Sequence, residues 1–248
     1  MAEISRKELV LSLISAGDHP RLSGLDLGGL DLSLLDLHGA RLILSNLMRA
    51  DLCGINLSEA NLSKANLSDA LLNKTLLHKA ILTEVNLSGA KLIEIDLSGA
   101  QLTGVKLDGA NLTRSNLSHA NLTNACLEQA DLSLTDLIEI EARFAGLRGA
   151  QLVRANLRGS VLQNAQLQLA NLSGADLSHT DLSNADLSGA NLSGANLSHA
   201  NLKGAQLSGA QLFKANLSAA LLMDTNLTHA DLTNANLKDA VLNGTLLD

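Results

Sequence analysis

The stretch DLSNADLSGANLSGANLSHANL, from Asp181 to Leu202, repeats itself every five residues. Each five-residue unit, or pentad, has a Leu with Asn or Asp directly before it, Ser after it and a small residue two places before it. From Leu22 to Leu247 every fifth residue is Leu except Ala142, which makes (247 − 22)/5 + 1 = 46 consecutive pentads. A period of five fits neither a helix nor a flat strand. It predicts a chain that turns a corner after every pentad.

The pentad separates inward-facing from outward-facing positions. The Leu and the small residue are expected inside, and 37 of the 46 small positions are Ala, Ser or Thr. The position two residues after the Leu holds 16 of the 19 glycines, which predicts a corner with positive φ. Four corners close a square coil, so that residue n lies under residue n + 20, and successive coils stack about 4.8 Å apart.

The pattern A-(D/N)-L-x-x resembles that of the pentapeptide-repeat family, and the resemblance extends from Pro20 to Asp248. It implies an all-β solenoid, namely a right-handed quadrilateral parallel β-helix. Forty-six pentads give about 11.5 coils and a rod about 55 Å long. We expect a capping helix and lead-in over residues 1–19 and the β-helix over 20–248.

The N-terminal residues 3–16 predict a short α-helix that caps the first coil. Ser5 and Glu8 form a capping-box pattern, an apolar segment follows, and Gly17 can end the helix. This lead-in is similar to that of cyanobacterial family members. The sequence shows no matching cap after the last coil. An exposed last coil is expected to favour an end-to-end homodimer, with Leu221, Val241 and Leu246 as its contacts.

Composition argues against several functional classes. The net charge is 18 − 25 = −7, and the only aromatic residues besides histidine are Phe144 and Phe213, so the basic, aromatic surface of a nucleic-acid binder is missing. No apolar run is long enough for a membrane helix, and we expect a cytoplasmic protein. The lattice has no insertion that could build a catalytic cleft, so neither catalysis nor a cofactor is expected. Cys53 and Cys126 fall on different sides and should be free thiols.

One face of the predicted rod is acidic. Its column before the Leu positions reads, in order, Asp96, Asn116, Asp136, Asn156, Asp176, Asn196. The alternation relieves repulsion between stacked carboxylates and allows an Asn hydrogen-bond ladder, which is a purely structural explanation. The functional explanation is a face that a basic partner recognises. His179 and His199 should be direct neighbours on it, but they lack the further ligands that a zinc site needs, so no metal is expected.

Residues 138–160 contain the one break in the Leu lattice. Arg143, Arg148, Arg154 and Arg158 should fall on four different faces and form a belt. Ala142 should leave space in the core, and we expect the ring of Phe144 to turn inward and fill it. The alternative is that Phe144 is an exposed anchor, in which case Arg143, Phe144 and Arg148 form a second candidate binding surface.

Three functions remain open. The first is a rigid module that presents flat polar faces to a protein partner of unknown identity. The resemblance implies the same, because family members mostly act by binding proteins, and a cyanobacterial branch modulates heterocyst differentiation. The second is a DNA mimic that protects DNA gyrase, although the central Phe residues and the C-terminal dimerisation module of that branch are missing here. The third is a structural spacer.

Overall fold

The protein is a quadrilateral parallel β-helix preceded by one α-helix, as predicted. The computed structural model describes residues 5–16 and 19–247. Helix α1 spans Arg6–Ala16. The β-structure of residues 19–247 consists of single-residue parallel bridges, each of which joins the residue directly before a Leu position to the residue twenty positions later. They run without a gap from Arg21↔Arg41 to Asn226↔Leu246.

Backbone hydrogen bonds connect every coil to the next. In the pentad of Asp186, the Asp186 N–H donates to the carbonyl of Ala165 in the preceding coil (3.0 Å). The N–H groups of Leu187 and Gly189 donate in the opposite direction, to Gln206 (2.7 Å) and Ser208 (2.9 Å). Ala190 closes the corner by donating to the carbonyl of Leu187 (2.9 Å). Most backbone polar groups are therefore satisfied between or within coils, which a stack without conventional strands requires.

Every corner has the backbone conformation that the glycine pattern predicted. All 46 corner residues, spaced five apart from His19 to Gly244, have φ between 53° and 73°. Sixteen of them are glycine and thirty are not. A positive φ at the third residue of a four-residue turn, with the fourth N–H bonded to the first carbonyl, is typical of a type II turn. The conformation is thus imposed by the lattice and not by the residue at each corner.

The core is a stack of Leu residues lined by small residues, as the pattern predicted. Both sets are buried through most of the stack. Where Ser or Thr replaces Ala, the buried hydroxyl donates to a backbone carbonyl, as Thr180 does to Leu157 (2.9 Å). This bond offsets the cost of burying the hydroxyl, so either Ala or a hydroxyl residue can occupy the small position.

The outer surface forms four walls. In the first coil, positions 21–24 belong to wall 1, positions 26–29 to wall 2, positions 31–34 to wall 3 and positions 36–39 to wall 4. Each wall continues at every twentieth residue. Coil 1 spans 20–39, coil 7 spans 140–159 and coil 8 spans 160–179. The last residue of each wall is a corner with positive φ.

Helix α1 packs on the first coil. The Ser5 N–H donates to Glu8 Oε2 (2.8 Å) and the Glu8 N–H donates to Ser5 Oγ (3.3 Å), which confirms the capping box. Leu9 is buried against the core and Arg6 forms an ion pair with Asp31 (2.7 Å). The predicted helix end at Gly17 lies outside the described residues.

The prediction that Phe144 fills the space beside Ala142 is wrong. Phe144 is 55% exposed and has φ 58°, because it occupies a corner, where the lattice directs the side chain away from the core. The space remains as a small apolar cavity of about 10 Å³, lined by Ala142, Ile140 and Leu residues of neighbouring coils. The missing Leu side chain is thus only partly compensated.

Candidate interaction surfaces

The Asp and Asn residues before the Leu positions stabilise the corners. On wall 4, the carboxylate of Asp96 accepts the N–H of Ser98 (3.0 Å), and Asp136 and Asp176 do the same for Ile138 (3.1 Å) and Ser178 (3.0 Å). Such a bond to the N–H two residues on is an Asx turn, which Asp and Asn form equally well. All three side chains are half-buried. One oxygen of each carboxylate is therefore committed to the fold.

The predicted histidine pair is present on wall 4, and the predicted ladder is present in part, since neither neighbouring Asn bonds to Asp136 in the described chain. Asn196 donates its amide to Asp176 (3.0 Å), and Asn116 donates to Asp96 at 3.4 Å. The rings of His179 and His199 are stacked, with centroids 4.9 Å apart and planes 1° from parallel. The period of twenty thus predicted these contacts correctly.

Wall 4 differs from the other walls in its charge. It carries three Lys or Arg and seven Asp or Glu residues, a net charge of 3 − 7 = −4 with neutral histidines. The same count gives 5 − 4 = +1 for wall 1, 3 − 5 = −2 for wall 2 and 5 − 5 = 0 for wall 3 over residues 21–247. Walls 1 to 3 contain Lys or Arg ion pairs, for example Lys64–Glu84, Arg49–Asp69 and Lys74–Glu94. Among the described residues of wall 4, no Lys or Arg pairs with a carboxylate, and the His119–Glu139 contact at 3.4 Å is an ion pair only when His119 is protonated.

The four arginines of coil 7 lie on four walls, as the register predicted. Arg143 contacts Glu141 (3.6 Å) and donates to the side-chain oxygen of Gln163 (3.3 Å). Arg148 is exposed and has no carboxylate within ion-pair distance in the described chain. Arg143 lies on wall 1, Arg148 on wall 2 and Phe144 at the corner between these two walls, so the three residues do not share one wall.

Two carboxylates on walls 1 and 2 are held in their charged form. Burial raises the pKa of the Asp181 carboxyl, but hydrogen bonds from Ser183, Gln163 and Asn201 outweigh burial and leave the pKa below its ordinary value. Burial likewise raises the pKa of Asp186, and bonds from Ser188 and Gln168 outweigh it. The two glutamine contacts join positions 18 residues apart, diagonally across a wall. The column register does not reveal them.

The described surface offers little for chemistry. No group of three or more metal-binding side chains occurs among residues 5–16 and 19–247. Cys53 and Cys126 are free, and burial raises the pKa of both thiols, which disfavours the nucleophilic thiolate. None of the described segments forms a helix that is long and apolar enough to cross a bilayer.

The residues proposed for a C-terminal contact lie on outer walls. Leu221 and Leu246 are 38% and 58% exposed, on walls 1 and 2, and Val241 is half-buried on wall 1. The end of the described stack instead exposes lattice residues, including Leu242 at 39% and Leu247 at 54%. An end-to-end contact remains a prediction.

Sequence reasoning missed one further feature, a set of bulky apolar residues at corners. Leu34, Leu44, Leu134, Phe144 and Leu169 all have positive φ and are 48–81% exposed. A bulky residue is unfavourable in this conformation, and its exposed side chain gains little from burial. The signal was present in the sequence, since these are the large apolar residues two places after lattice positions.

Comparison with protein families identifies the lattice. A model described as pentapeptide repeats matches residues 45–83, 60–99, 95–133, 150–189, 180–218, 190–228 and 220–247. These matches cover well over half of the chain. The chain belongs to the pentapeptide-repeat family. A comparison with curated proteins gave no match.

Several solved pentapeptide-repeat structures resemble the chain. HetL from the cyanobacterium Nostoc sp. strain PCC 7120, a protein involved in heterocyst differentiation regulation, is 32% identical over 99% of this chain and 98% of its own, with a TM-score of 0.40. The Nostoc protein alr5209 is 36% identical over 38% of this chain and 84% of its own, with a TM-score of 0.24. A trypsin-treated form of QnrB1, a plasmid-mediated fluoroquinolone resistance protein, is 24% identical over 66% of this chain and 84% of its own, with a TM-score of 0.54, and supports the shared fold alone.

Proposed function

We propose that this pentapeptide-repeat protein is a non-enzymatic, rigid module that binds a basic protein partner through wall 4. The observation that supports this is the charge of −4 on that wall, combined with the absence of any Lys or Arg ion pair among its described residues. On walls 1 to 3, five of the fourteen Asp and Glu residues form an ion pair with Lys or Arg, against none of the seven on wall 4 among the described residues. The unneutralised charge of wall 4 therefore has no evident structural role, whereas it suits a positively charged partner.

The backbone supports binding by a preformed surface. Each coil is hydrogen-bonded to the next, and the walls carry no insertions, so a partner would meet a surface that is already ordered. Binding to such a surface avoids much of the entropy cost of ordering loops. Because the charges are exposed or half-exposed, the interaction should weaken as salt increases. We place this interaction in the cytoplasm.

The test compares two triple variants with equal changes in charge. Asp96→Asn, Asp136→Asn and Asp176→Asn neutralise wall 4 and preserve the Asx turns, which lysine would not. Asp51→Asn, Asp131→Asn and Asp231→Asn make the same change at equivalent positions on wall 3, where each carboxylate accepts the same turn N–H. Affinity capture from host lysate, followed by mass spectrometry, identifies partners of the native chain. A basic protein lost only from the wall 4 variant supports the proposal, and equal capture by both variants contradicts it.

Two other outcomes separate the alternatives. A DNA mimic would inhibit or protect gyrase in a supercoiling assay, and unchanged supercoiling in excess protein removes that function. A structural spacer would capture no specific partner from lysate.

A further inference from the structure

Four departures from the lattice meet on wall 2 in coils 7 and 8. Phe144 and Leu169, at the corners on either side of the wall, have φ of 58° and 60° and are 55% and 60% exposed. Gly146 is the single glycine directly before a Leu-lattice position, so the wall lacks a side chain there. Gln168 Oε1 is buried and has no hydrogen-bond donor, the one such side-chain atom in the described chain.

A comparison with the adjacent wall shows what is missing. On wall 1, Arg143 donates to Gln163 Oε1 in the next coil, and Gln163 donates its amide to Asp181. Five residues later, on wall 2, Gln168 donates to Asp186 in the same way. Arg148 has the position relative to Gln168 that Arg143 has relative to Gln163, but it does not donate to the glutamine. Wall 2 therefore presents an unpaired guanidinium beside an acceptor that lacks a donor.

None of these features benefits the isolated chain. A bulky corner residue is strained, an exposed apolar side chain gains no burial and an unsatisfied buried acceptor reduces stability. Their occurrence together suggests a common role in binding. Wall 2 also contains both a donor, Arg148, and an acceptor, Gln168, one coil apart. Two copies of this wall can therefore pair the donor of each with the acceptor of the other.

We propose that wall 2 is the interface of a side-by-side, antiparallel homodimer, with the two-fold axis crossing the wall between coils 7 and 8. This pairing places coil 7 of one copy opposite coil 8 of the other. Arg148 of each copy then faces Gln168 of the second copy, and the Gln168 oxygen, which is buried in the single chain, has to turn outward to accept from it. Leu169 faces Gly149, over which the Gln129 side chain of the same copy lies, and Phe144 faces Asn164. An interface of this kind uses the same patch on both subunits.

The flanking coils accept the same pairing. Coil 6 faces coil 9, which places Glu128 opposite Ser188 and Cys126 opposite Asp186. Coil 5 faces coil 10, which places Asp108 opposite Ser208. No like charges oppose one another in these rows, so the pairing avoids the repulsion that would reject it. The proposal goes beyond the function of wall 4 and does not depend on it, because the wall 4 charges lie outside this interface.

Sedimentation equilibrium over a range of protein concentrations tests the dimer. The native chain should approach twice its monomer mass of 25.9 kDa. Leu169→Gly with Arg148→Ser should give a folded monomer with an unchanged circular dichroism spectrum, because glycine adopts positive φ without strain. The matched control is Leu34→Gly with Arg154→Ser. Leu34 leans over Gly54 as Leu169 leans over Gly189, and Arg154 is also unpaired in the described chain, so this variant should stay dimeric.

A cysteine pair tests the direction of packing. In a Cys53→Ser background, Asp186→Cys should form a disulfide with Cys126 of the second copy on mild oxidation and give a covalent dimer on a non-reducing gel. Asn226→Cys lies in the same column two coils further on and should give none. A native chain that is monomeric at every concentration overturns the proposal. It is also overturned by a dimer that persists in the Leu169→Gly/Arg148→Ser variant and forms no disulfide in the Asp186→Cys variant, as an end-to-end dimer would.

Discussion

At the corners, the backbone conformation could be predicted from the sequence, but the position of one side chain could not. The period of five predicted which positions have positive φ, and all 46 do. It also predicted that His179 would lie beside His199. The position of Phe144 did not follow, because the preference of an apolar ring for nearby space does not overcome the outward direction of a corner side chain. Local backbone geometry decided the outcome: the ring stayed outside and the cavity stayed open.

Replacing Phe144 by glycine separates the two explanations of this residue. We expect Phe144→Gly to leave the free energy of unfolding unchanged or to raise it by up to about 1 kcal/mol, since it removes strain at positive φ. A ring that filled the core would instead cost about 3–5 kcal/mol when removed. Thermal and urea unfolding measure the difference. Asn124→Gly, one coil below at the same corner with φ 58°, is the matched control and should behave alike.

Asp181 predicts a specific loss of stability in acid. A carboxyl whose pKa is lower in the folded chain than in the unfolded chain adds stability above the unfolded pKa, and this contribution is lost as the pH falls through the folded pKa. The pKa of Asp181 is below the ordinary 3.8, so the loss should occur below about pH 4. Asp181→Asn should have a lower melting temperature than the native chain at pH 7. At pH 3 the two melting temperatures should be closer together.

The control for this pH effect is Asp136→Asn. The Asp136 carboxylate accepts one hydrogen bond in the described chain, from the Ile138 N–H, and asparagine can accept the same bond. Its melting temperature should therefore differ little from that of the native chain at pH 7. A constant difference between Asp181→Asn and the native chain from pH 7 to pH 3 would contradict the role assigned to ionised Asp181.

Single coils are where sequence prediction worked best. The Leu and small residues specify which side chains are buried, and the Asp or Asn before each Leu specifies a local turn bond, so each coil can be read from twenty residues. The diagonal contacts of Gln163 and Gln168 were not predictable, because a long side chain chooses among several partners on a wall. The candidate interaction surfaces depend on such choices, and only their register could be inferred.

Coil 7 should gain stability when its lattice is completed. Ala142→Leu fills the apolar cavity, and we expect a gain of about 1–2 kcal/mol, at the low end of leucine-to-alanine effects because the remaining cavity is small. Chemical unfolding measures it. Ala145→Leu is the control in the same coil: this buried position belongs to the small-residue set, and overpacking there should cost about 1–3 kcal/mol. A loss of stability in Ala142→Leu would mean that the neighbouring leucines have already closed around Ala142.

Because the stack is continuous, the alignment of wall 4 residues along the rod depends on the number of pentads between them. Removing five residues keeps every remaining Leu in the lattice but turns all later coils by a quarter turn relative to the earlier ones. Removing twenty residues deletes a complete coil and keeps each wall aligned. Because each coil contacts only its neighbours, both deletions should fold with melting temperatures close to the native value. The two variants thus differ in the alignment of their surfaces far more than in their cores.

Deletion of residues 101–105 should therefore abolish capture of a wall 4 partner, while deletion of 101–120 should preserve it. The short deletion moves Asp136 and Asp176 onto the wall that continues wall 3 and separates them from Asp96. The long deletion keeps the same residues on one wall but stacks Asp136 directly on Asp96, a like-charge contact that should cost a little stability. Circular dichroism confirms the fold and affinity capture measures binding. Both deletions leave the wall 2 residues of coils 6 to 9 in place, so dimerisation through wall 2 should survive in each. Loss of partner capture can then be assigned to wall 4. Equal capture by both deletions would show that the partner contacts a surface confined to one side of the junction.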